Sequence, residues 1–240
     1  MPSNKLIPLF RFHHILNGKI PKIDFHLHTN WTDGLNSVGQ MYDQAILLGL
    51  HHILYSEHAR QDSGKWFKKF AKEVNALPKE PCRAFVGVEA RVADFHGNLN
   101  IGDDILSCCD LVIGSVHRFC NQNGDVIDFD EVIPEHAVEI EFELSKAILN
   151  NPDVDILGHP FGMCFKKYHI APPSNMIYHL IRKTAKKKKV FEINSKYHSN
   201  MFELIHLCIS EKALFSLGSD AHSVSELGGC IFNLEQEKSE

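Results

Sequence analysis

Short apolar runs alternate with longer amphipathic stretches along most of the chain, and this alternation constrains the fold more than any other feature. Seven runs rich in β-branched and aromatic residues have the length and composition of buried strands. They lie at residues 23–27, 52–55, 84–88, 111–116, 154–157, 190–193 and 214–217. Between most of them, apolar residues recur with helical spacing at 37–48, 65–77, 130–149, 174–187 and 199–210.

Strands that alternate with helices predict βα units and a parallel sheet. Seven such units suit a closed or nearly closed barrel, so we expect an α/β fold of the (β/α)7 type. A doubly wound open sheet is the alternative, but the glycine fingerprints G-x-G-x-x-G and G-x-x-x-x-G-K-[ST] are both missing from the sequence. Ser174 and Ser199 are expected to cap two of the helices. Segment 90–109 is expected to be a loop with at most one short strand near 98–101.

Composition narrows the class of protein. A length of 240 residues suits one domain, with residues 1–21 as an N-terminal extension and 231–240 as a C-terminal tail. The net charge of −5 disfavours a generally basic nucleic-acid binder. No apolar run reaches the roughly 18 residues of a membrane helix, and no signal-peptide pattern opens the chain. Seven cysteines without a C-x-x-C indicate reduced thiols and a cytoplasmic location.

Histidine and carboxylate side chains stand at the ends of six of the seven apolar runs. Each of them alone has an ordinary explanation, such as a surface histidine or a turn-forming aspartate. Together they matter, because the active site of an α/β barrel is built from the carboxyl ends of its strands and the loops that follow. The candidate metal ligands are His26, His28, Asp33, His58, Glu89, His117, His159, Asp220 and His222.

Nine ligands exceed what one ion needs, since a zinc site takes about four. With one bridging carboxylate, the set suits two or three divalent ions. Imidazole and carboxylate ligands fit Zn, Mn or Fe, and the sequence leaves that choice open.

These residues, in this order, resemble the PHP (polymerase and histidinol phosphatase) superfamily from about residue 23 to residue 227. The resemblance is carried by DFHLHTNWTDG, ILYSEHA, FVGVEA, VIGSVH, ILGHPF and LGSDAHSVSELG. It implies a distorted (β/α)7 barrel, a centre of two or three metal ions, and hydrolysis of phosphate esters. Two local departures are a Glu57 where the family often has Asp, and an Asp33 where some members have His.

The resemblance also implies how the ligands would be shared among the ions. One ion would be held by His26, His28, Glu89 and Asp220, which would form the catalytic centre. A second would be held by Glu89, His117 and His159, and a third by Asp33, His58 and His222.

The function expected from this resemblance is metal-dependent hydrolysis of a small-molecule phosphate monoester, as in histidinol phosphatases, by hydroxide generated at the metals. Arg118 and Lys196 are the preferred candidates for binding the phosphate, with Arg91 and Arg60 as further ones. Three alternatives stay open: a phosphodiesterase or nuclease, a non-catalytic metal-stabilised module, and a metal-dependent amidohydrolase, whose fold also begins with H-x-H on a strand. We expect a small-molecule phosphate as partner and neither membrane nor nucleic acid; the oligomeric state is left open.

Overall fold

Seven parallel strands form one sheet in a computed structural model that describes Phe10, Ile15 and residues 19–121 and 123–238. The order of strands in the sheet is β1-β2-β3-β4-β7-β8-β9, which is the order along the chain, and β5 pairs with β6 in a separate antiparallel hairpin. The strands are β1 (Ile23–Leu27), β2 (His52–His58), β3 (Arg83–Arg91), β4 (Leu111–Ser115), β5 (Phe119–Cys120), β6 (Val126–Ile127), β7 (Ile156–Leu157), β8 (Val190–Asn194) and β9 (Leu214–Gly218).

The two edges of the sheet meet just beyond the end of β9. The backbone N–H of His28 donates to the carbonyl of Ala221 at 2.8 Å, and the N–H of Ala221 donates to the carbonyl of His26 at 3.3 Å. Leu27 and Ala221 form a parallel bridge between the edges. The sheet is therefore a nearly closed barrel of seven strands, which confirms the predicted fold class.

Helices follow most strands and cover the barrel. They are α1 (Val38–Leu47), α2 (Gly64–Asn75), α3 (Asp103–Leu106), α4 (Pro134–Ile148), α5 (Ser174–Lys187), α6 (Met201–Ser210) and α7 (Gly229–Glu237). No helix in the described part of the chain is long and apolar enough to cross a membrane.

The two predicted serine caps are wrong. Pro173 occupies the cap position of α5, and Ser174 is already the first helical residue. Asn200 precedes α6, one residue later than Ser199. Proline has no side-chain acceptor, so α5 begins without a side-chain capping hydrogen bond.

Two helices were missed because each buries few side chains. α3 lies in the segment predicted as a loop and buries only Ile105, while the expected strand there is reduced to a single bridge between Val92 and Leu99. α7 includes most of the residues predicted to be a C-terminal tail; it packs because Cys230 and Leu234 are buried.

The predicted helix 130–149 begins later than expected. A short 3-10 turn (Phe129–Glu131) precedes α4, which starts at Pro134. The predicted N-terminal extension lies mostly outside the described residues. Of its members that the structure describes, Phe10 and Ile15 are buried, and the Phe10 ring lies 5.3 Å from that of Phe25.

Candidate metal centre

The nine candidate ligands lie together at the carboxyl end of the barrel. The last part of β1 and the residue after it contribute a pair of histidines, because residues two apart on an extended chain point to the same side. The remaining ligands sit at the ends of β2 and β3 and in the loops after β1, β4, β7 and β9. The structure brings together His26, His28, Asp33, His58, Glu89, His117, His159, Asp220 and His222.

Glu89 is the carboxylate that touches most of these histidines. It is 2% exposed. Its Oε1 lies 2.8 Å from Nε2 of His117 and 2.7 Å from Nε2 of His159. Its Oε2 lies 3.3 Å from Nε2 of His26 and 3.2 Å from Nδ1 of His58. Both oxygens of one buried carboxylate therefore face imidazoles on different strands, an arrangement suited to bridging two ions.

The charges around Glu89 keep it ionised. Burial alone would raise the pKa of Glu89, but the charges of His117 and His26 and the hydrogen bonds from His117 and His159 hold it well below its ordinary value. The centre therefore contains a carboxylate rather than a carboxylic acid near neutral pH.

Asp220 forms a second point of convergence. Its Oδ1 lies 3.2 Å from Nε2 of His28 and 3.6 Å from Nε2 of His26. Its backbone φ of 51° is in the left-handed region, which non-glycine residues adopt rarely.

Asp33, His58 and His222 form the most exposed group of candidate ligands. Oδ2 of Asp33 lies 3.5 Å from Nε2 of His58 and 3.4 Å from Nε2 of His222. The loop carrying Asp33 is tied to Glu57, whose carboxylate accepts hydrogen bonds from the backbone and hydroxyl of Thr29 and from the hydroxyl of Thr32. Glu57 thus anchors the Asp33 loop and does not face the cluster of ligands.

Three sets of ligand atoms are compact enough to hold an ion, with all atoms of a set within 4.8 Å of one another. The sets share members, as expected of a multinuclear centre. They are His26, His28, Glu89 and Asp220; His28, Asp33, His58 and His222; and His58, Glu89 and His117.

Unpartnered ring nitrogens test whether the residues fit metal ions. Nε2 of His26 and both ring nitrogens of His28 are buried and make no hydrogen bond within the described part of the chain, although carboxylate oxygens of Glu89 and Asp220 lie 3.3 Å and 3.2 Å from the two Nε2 atoms. A buried polar atom left unpaired is costly, so such atoms indicate a missing partner. Burial also lowers the pKa of His28 to about 4, so its imidazole is neutral near pH 7, the form that binds a cation. The donor set therefore fits divalent metal ions.

Sequence reasoning missed two residues that support the ligands. Glu192, on β8, accepts a hydrogen bond from Nδ1 of His26 at 2.7 Å and from the backbone N–H of His159 at 2.6 Å. Tyr197 donates its hydroxyl to Oδ2 of Asp220 at 2.9 Å. A carboxylate within the apolar run VFEIN was the available signal for Glu192.

A cavity of about 700 Å³ opens over the ligands. Five cationic side chains line it in addition to the ligand residues: Arg60, Arg91, Arg118, Lys166 and Lys167. The last two lie on a π-helical turn, Cys164–Tyr168.

Lys196 lies outside the lining of this cavity. Its Nζ donates to the backbone carbonyl of Asp220 at 2.6 Å and lies 3.2 Å from Oε2 of Glu226. Lys196 therefore supports the loop that carries Asp220, whereas Arg118 remains open to a substrate.

Comparison with known proteins reveals relatives over most of the chain. A family model described as "PHP domain" matches residues 24–196. The DNA polymerase/3'-5' exonuclease PolX of Bacillus subtilis is 29% identical over 219 residues, which cover 86% of this chain and 35% of that protein. A probable phosphatase of Caldicellulosiruptor bescii is 25% identical over 224 residues, which cover 87% of this chain and 83% of that protein.

Solved structures share the fold at low sequence identity. One is a histidinol phosphate phosphatase from Lactococcus lactis complexed with zinc, L-histidinol and phosphate. It has a TM-score of 0.64 and 16% identity, with 91% of this chain and 94% of that chain covered. A putative histidinol phosphatase from Listeria monocytogenes has a TM-score of 0.64 and 17% identity, with 86% and 97% covered.

Proposed function

The chain belongs to the PHP domain family, and from this premise we propose that it is a metal-dependent phosphoesterase acting on a small-molecule phosphate monoester. Relatives named probable phosphatases and structural neighbours named histidinol phosphatases support a hydrolase of phosphate esters. Histidinol phosphate is the first substrate to test, because the Lactococcus lactis neighbour binds L-histidinol and phosphate.

One observation carries the proposal: nine ligand-type side chains from distant parts of the chain, the buried Glu89 among them, meet at one cavity. A non-catalytic, metal-stabilised module would need the ligands. It would not need the cavity or the lysine and arginine side chains that line it without an ion-pair partner among the described residues. The combination favours catalysis over a non-catalytic module.

The proposed catalytic centre is His26, His28, Glu89 and Asp220. His117 and His159 would share a second ion with Glu89, and the group around Asp33 would hold a third. When bound, such divalent ions activate water as a nucleophile and stabilise charge on the phosphoryl oxygens.

The surrounding residues of the chain orient these groups. Glu192 fixes the ring of His26 through Nδ1 and so directs Nε2 into the centre. Tyr197 holds one oxygen of Asp220 and leaves the other directed at the histidines. Arg118, exposed on the cavity wall next to His117, is the proposed anion-binding residue.

The test is an assay of the purified full chain loaded with Mn²⁺, Zn²⁺ or Fe²⁺. Histidinol phosphate and p-nitrophenyl phosphate would be compared with bis-p-nitrophenyl phosphate and single-stranded DNA. Turnover of the monoesters that EDTA abolishes, and that Glu89→Gln loses while the exposed Glu139→Gln retains, is the expected result. A metal-loaded protein that hydrolyses none of the monoesters would overturn the proposal.

A nuclease is the second candidate, because a similar protein is named a DNA polymerase/3'-5' exonuclease. The chain spans only 35% of that protein's length, and its net charge of −5 does not favour binding of a nucleic-acid backbone. Hydrolysis of DNA in preference to every monoester would select this candidate.

A further inference from the structure

The wall of the cavity carries an excess of positive charge that the candidate metal ligands do not use. Five cations line it, namely Arg60, Arg91, Arg118, Lys166 and Lys167. Within the described residues, none of the five lies within 4.0 Å of a carboxylate oxygen, although ion pairs occur elsewhere on the surface. Unneutralised cations on the wall of one cavity in a protein of net charge −5 indicate an anionic ligand.

Two of these cations converge on a single aromatic ring. The guanidinium carbon of Arg118 lies 5.5 Å from the ring centroid of Phe129, and Nζ of Lys167 lies 5.0 Å from the same centroid. Arg118 comes from the loop after β4, and Lys167 from the π-helical turn after β7. Two separate segments of the chain thus place a guanidinium and an ammonium next to the same aromatic ring.

The Phe129 ring that both cations contact is held in place by aromatic neighbours. Phe129 packs edge-on against Phe119 at 5.3 Å and against Tyr168 at 6.5 Å. The hydroxyl of Tyr168 donates to the backbone carbonyl of Phe129 at 2.8 Å. These contacts therefore fix the position of Phe129. Arg118, Phe129 and Lys167 are here called the cationic platform.

The platform is distinct from the candidate metal ligands, although Arg118 directly follows His117 in the chain. None of its three residues is among the candidate ligands, which come from β1 and from the ends of the other strands. Yet platform and ligands line the same cavity of about 700 Å³, the size of a small-molecule site. A single small molecule can reach both.

We propose that the cationic platform binds a second anionic group of the substrate, so that the preferred substrates are small molecules carrying two phosphate groups. This inference rests on the proposed phosphoesterase function. One phosphate would be hydrolysed at the metal centre, and the other would be held by Arg118 and Lys167. Phosphate suits this pair, because arginine binds its oxygens through two parallel N–H bonds and lysine adds a compact charge.

The kinetic test uses bisphosphates of 1,3-propanediol, 1,4-butanediol and 1,6-hexanediol beside the monophosphates of the same alcohols. For the chain length that spans the cavity, kcat/KM should exceed that of the matched monophosphate by about tenfold or more, the effect of one good charge-assisted contact. Lys167→Gln should remove most of this advantage, and Lys167→Arg should keep it. Lys183→Gln, which changes a cation in a different cavity on α5, is the matched control and should keep the advantage.

A binding measurement distinguishes the platform proposal from the proposed phosphoesterase function. Calorimetry with the corresponding alkane bisphosphonates and monophosphonates, which are not hydrolysed, should show the same preference and the same dependence on Lys167. Preferential bisphosphonate binding without turnover of any phosphate ester would support the platform and overturn the phosphoesterase. Turnover of monoesters with no bisphosphate preference, or a preference that survives Lys167→Gln together with Arg118→Gln, would overturn the platform. Tighter binding of single-stranded DNA than of every bisphosphonate would assign the platform to nucleic acid instead.

Discussion

Glu192 accepts a hydrogen bond from Nδ1 of His26 at 2.7 Å, and both side chains are buried. The ring of His26 is thereby fixed with Nε2 facing Glu89 and Asp220. A histidine held by a carboxylate on one nitrogen presents the other as a ligand of set direction and raised basicity.

Replacement of this carboxylate should weaken metal binding. In Glu192→Gln the amide keeps the volume but loses the charge that fixes His26, so affinity for Zn²⁺ should fall by about 10- to 100-fold. Titration against a competing chelator measures the loss. Glu139→Gln, an exposed change on α4, should leave the affinity as it is; equal effects of the two variants would refute a specific role of Glu192.

A methyl group at Gly218 should damage the same contact. A Cβ there would lie 2.2 Å from Oε1 of Glu192 and 2.8 Å from Cβ of His26, closer than real atoms approach. We expect Gly218→Ala to lower the metal affinity. It should also lower the free energy of unfolding by about 1–3 kcal/mol, as overpacking does in other cores. Gly39→Ala, a change on α1, is the matched control. A Cβ at Gly39 would lie 4.0 Å from the nearest neighbouring atom. Wild-type affinity in Gly218→Ala would show that the contact does not position His26.

Metal removal should destabilise the chain. Nε2 of His26 and a ring nitrogen of His28, buried without a hydrogen bond from the described residues, would gain a partner from a bound ion, and an ion at 100 times its Kd stabilises by about 2.7 kcal/mol. Differential scanning fluorimetry should show a melting temperature that falls with EDTA and recovers with added Zn²⁺. The recovery should be smaller in Glu89→Gln, and an equal response in that variant would place the ions elsewhere.

Glu141 should make stability depend on pH. Burial raises the pKa of Glu141 to about 7, against hydrogen bonds from the backbone N–H groups of Met163 and Cys164. The folded state thus favours the protonated form. This contribution is complete below the ordinary pKa of 4.5 and is lost as the pH rises toward 7.

The expected consequence is a pH-dependent effect of Glu141→Gln, which mimics the protonated acid. Relative to wild type, the variant should gain about 3 kcal/mol of unfolding free energy between pH 4.5 and pH 8, from 1.36 kcal/mol per pKa unit. Urea unfolding at the two pH values measures this change, with Glu139→Gln as control on the same helix. A difference between variant and wild type that stays constant with pH would contradict the assignment.

The barrel and the positions of the candidate ligands followed from the sequence because both depend on local pattern. Apolar runs mark the buried strands, and a histidine or carboxylate directly after such a run has to lie at the end of the barrel. His117, Glu89 and Asp220 were found in this way. The resemblance to PHP proteins added their grouping around shared ions.

The supporting residues did not follow from local pattern, because their roles depend on contacts between distant segments. Glu192 is 166 positions from His26 in the chain. Lys167 lines the cavity from a π-helical turn that the sequence pattern did not indicate. Lys196 lies near a strand end as the ligands do, yet its long side chain turns back to the carbonyl of Asp220.

Anomalous X-ray diffraction from crystals grown with zinc, recorded on both sides of the zinc absorption edge, tests the metal centre most directly. We predict at least two anomalous peaks at about 2.0–2.2 Å from ligand atoms, one of them among His26, His28 and Asp220 and both next to Glu89. Anomalous peaks confined to the protein surface, with none beside Glu89, would contradict the account.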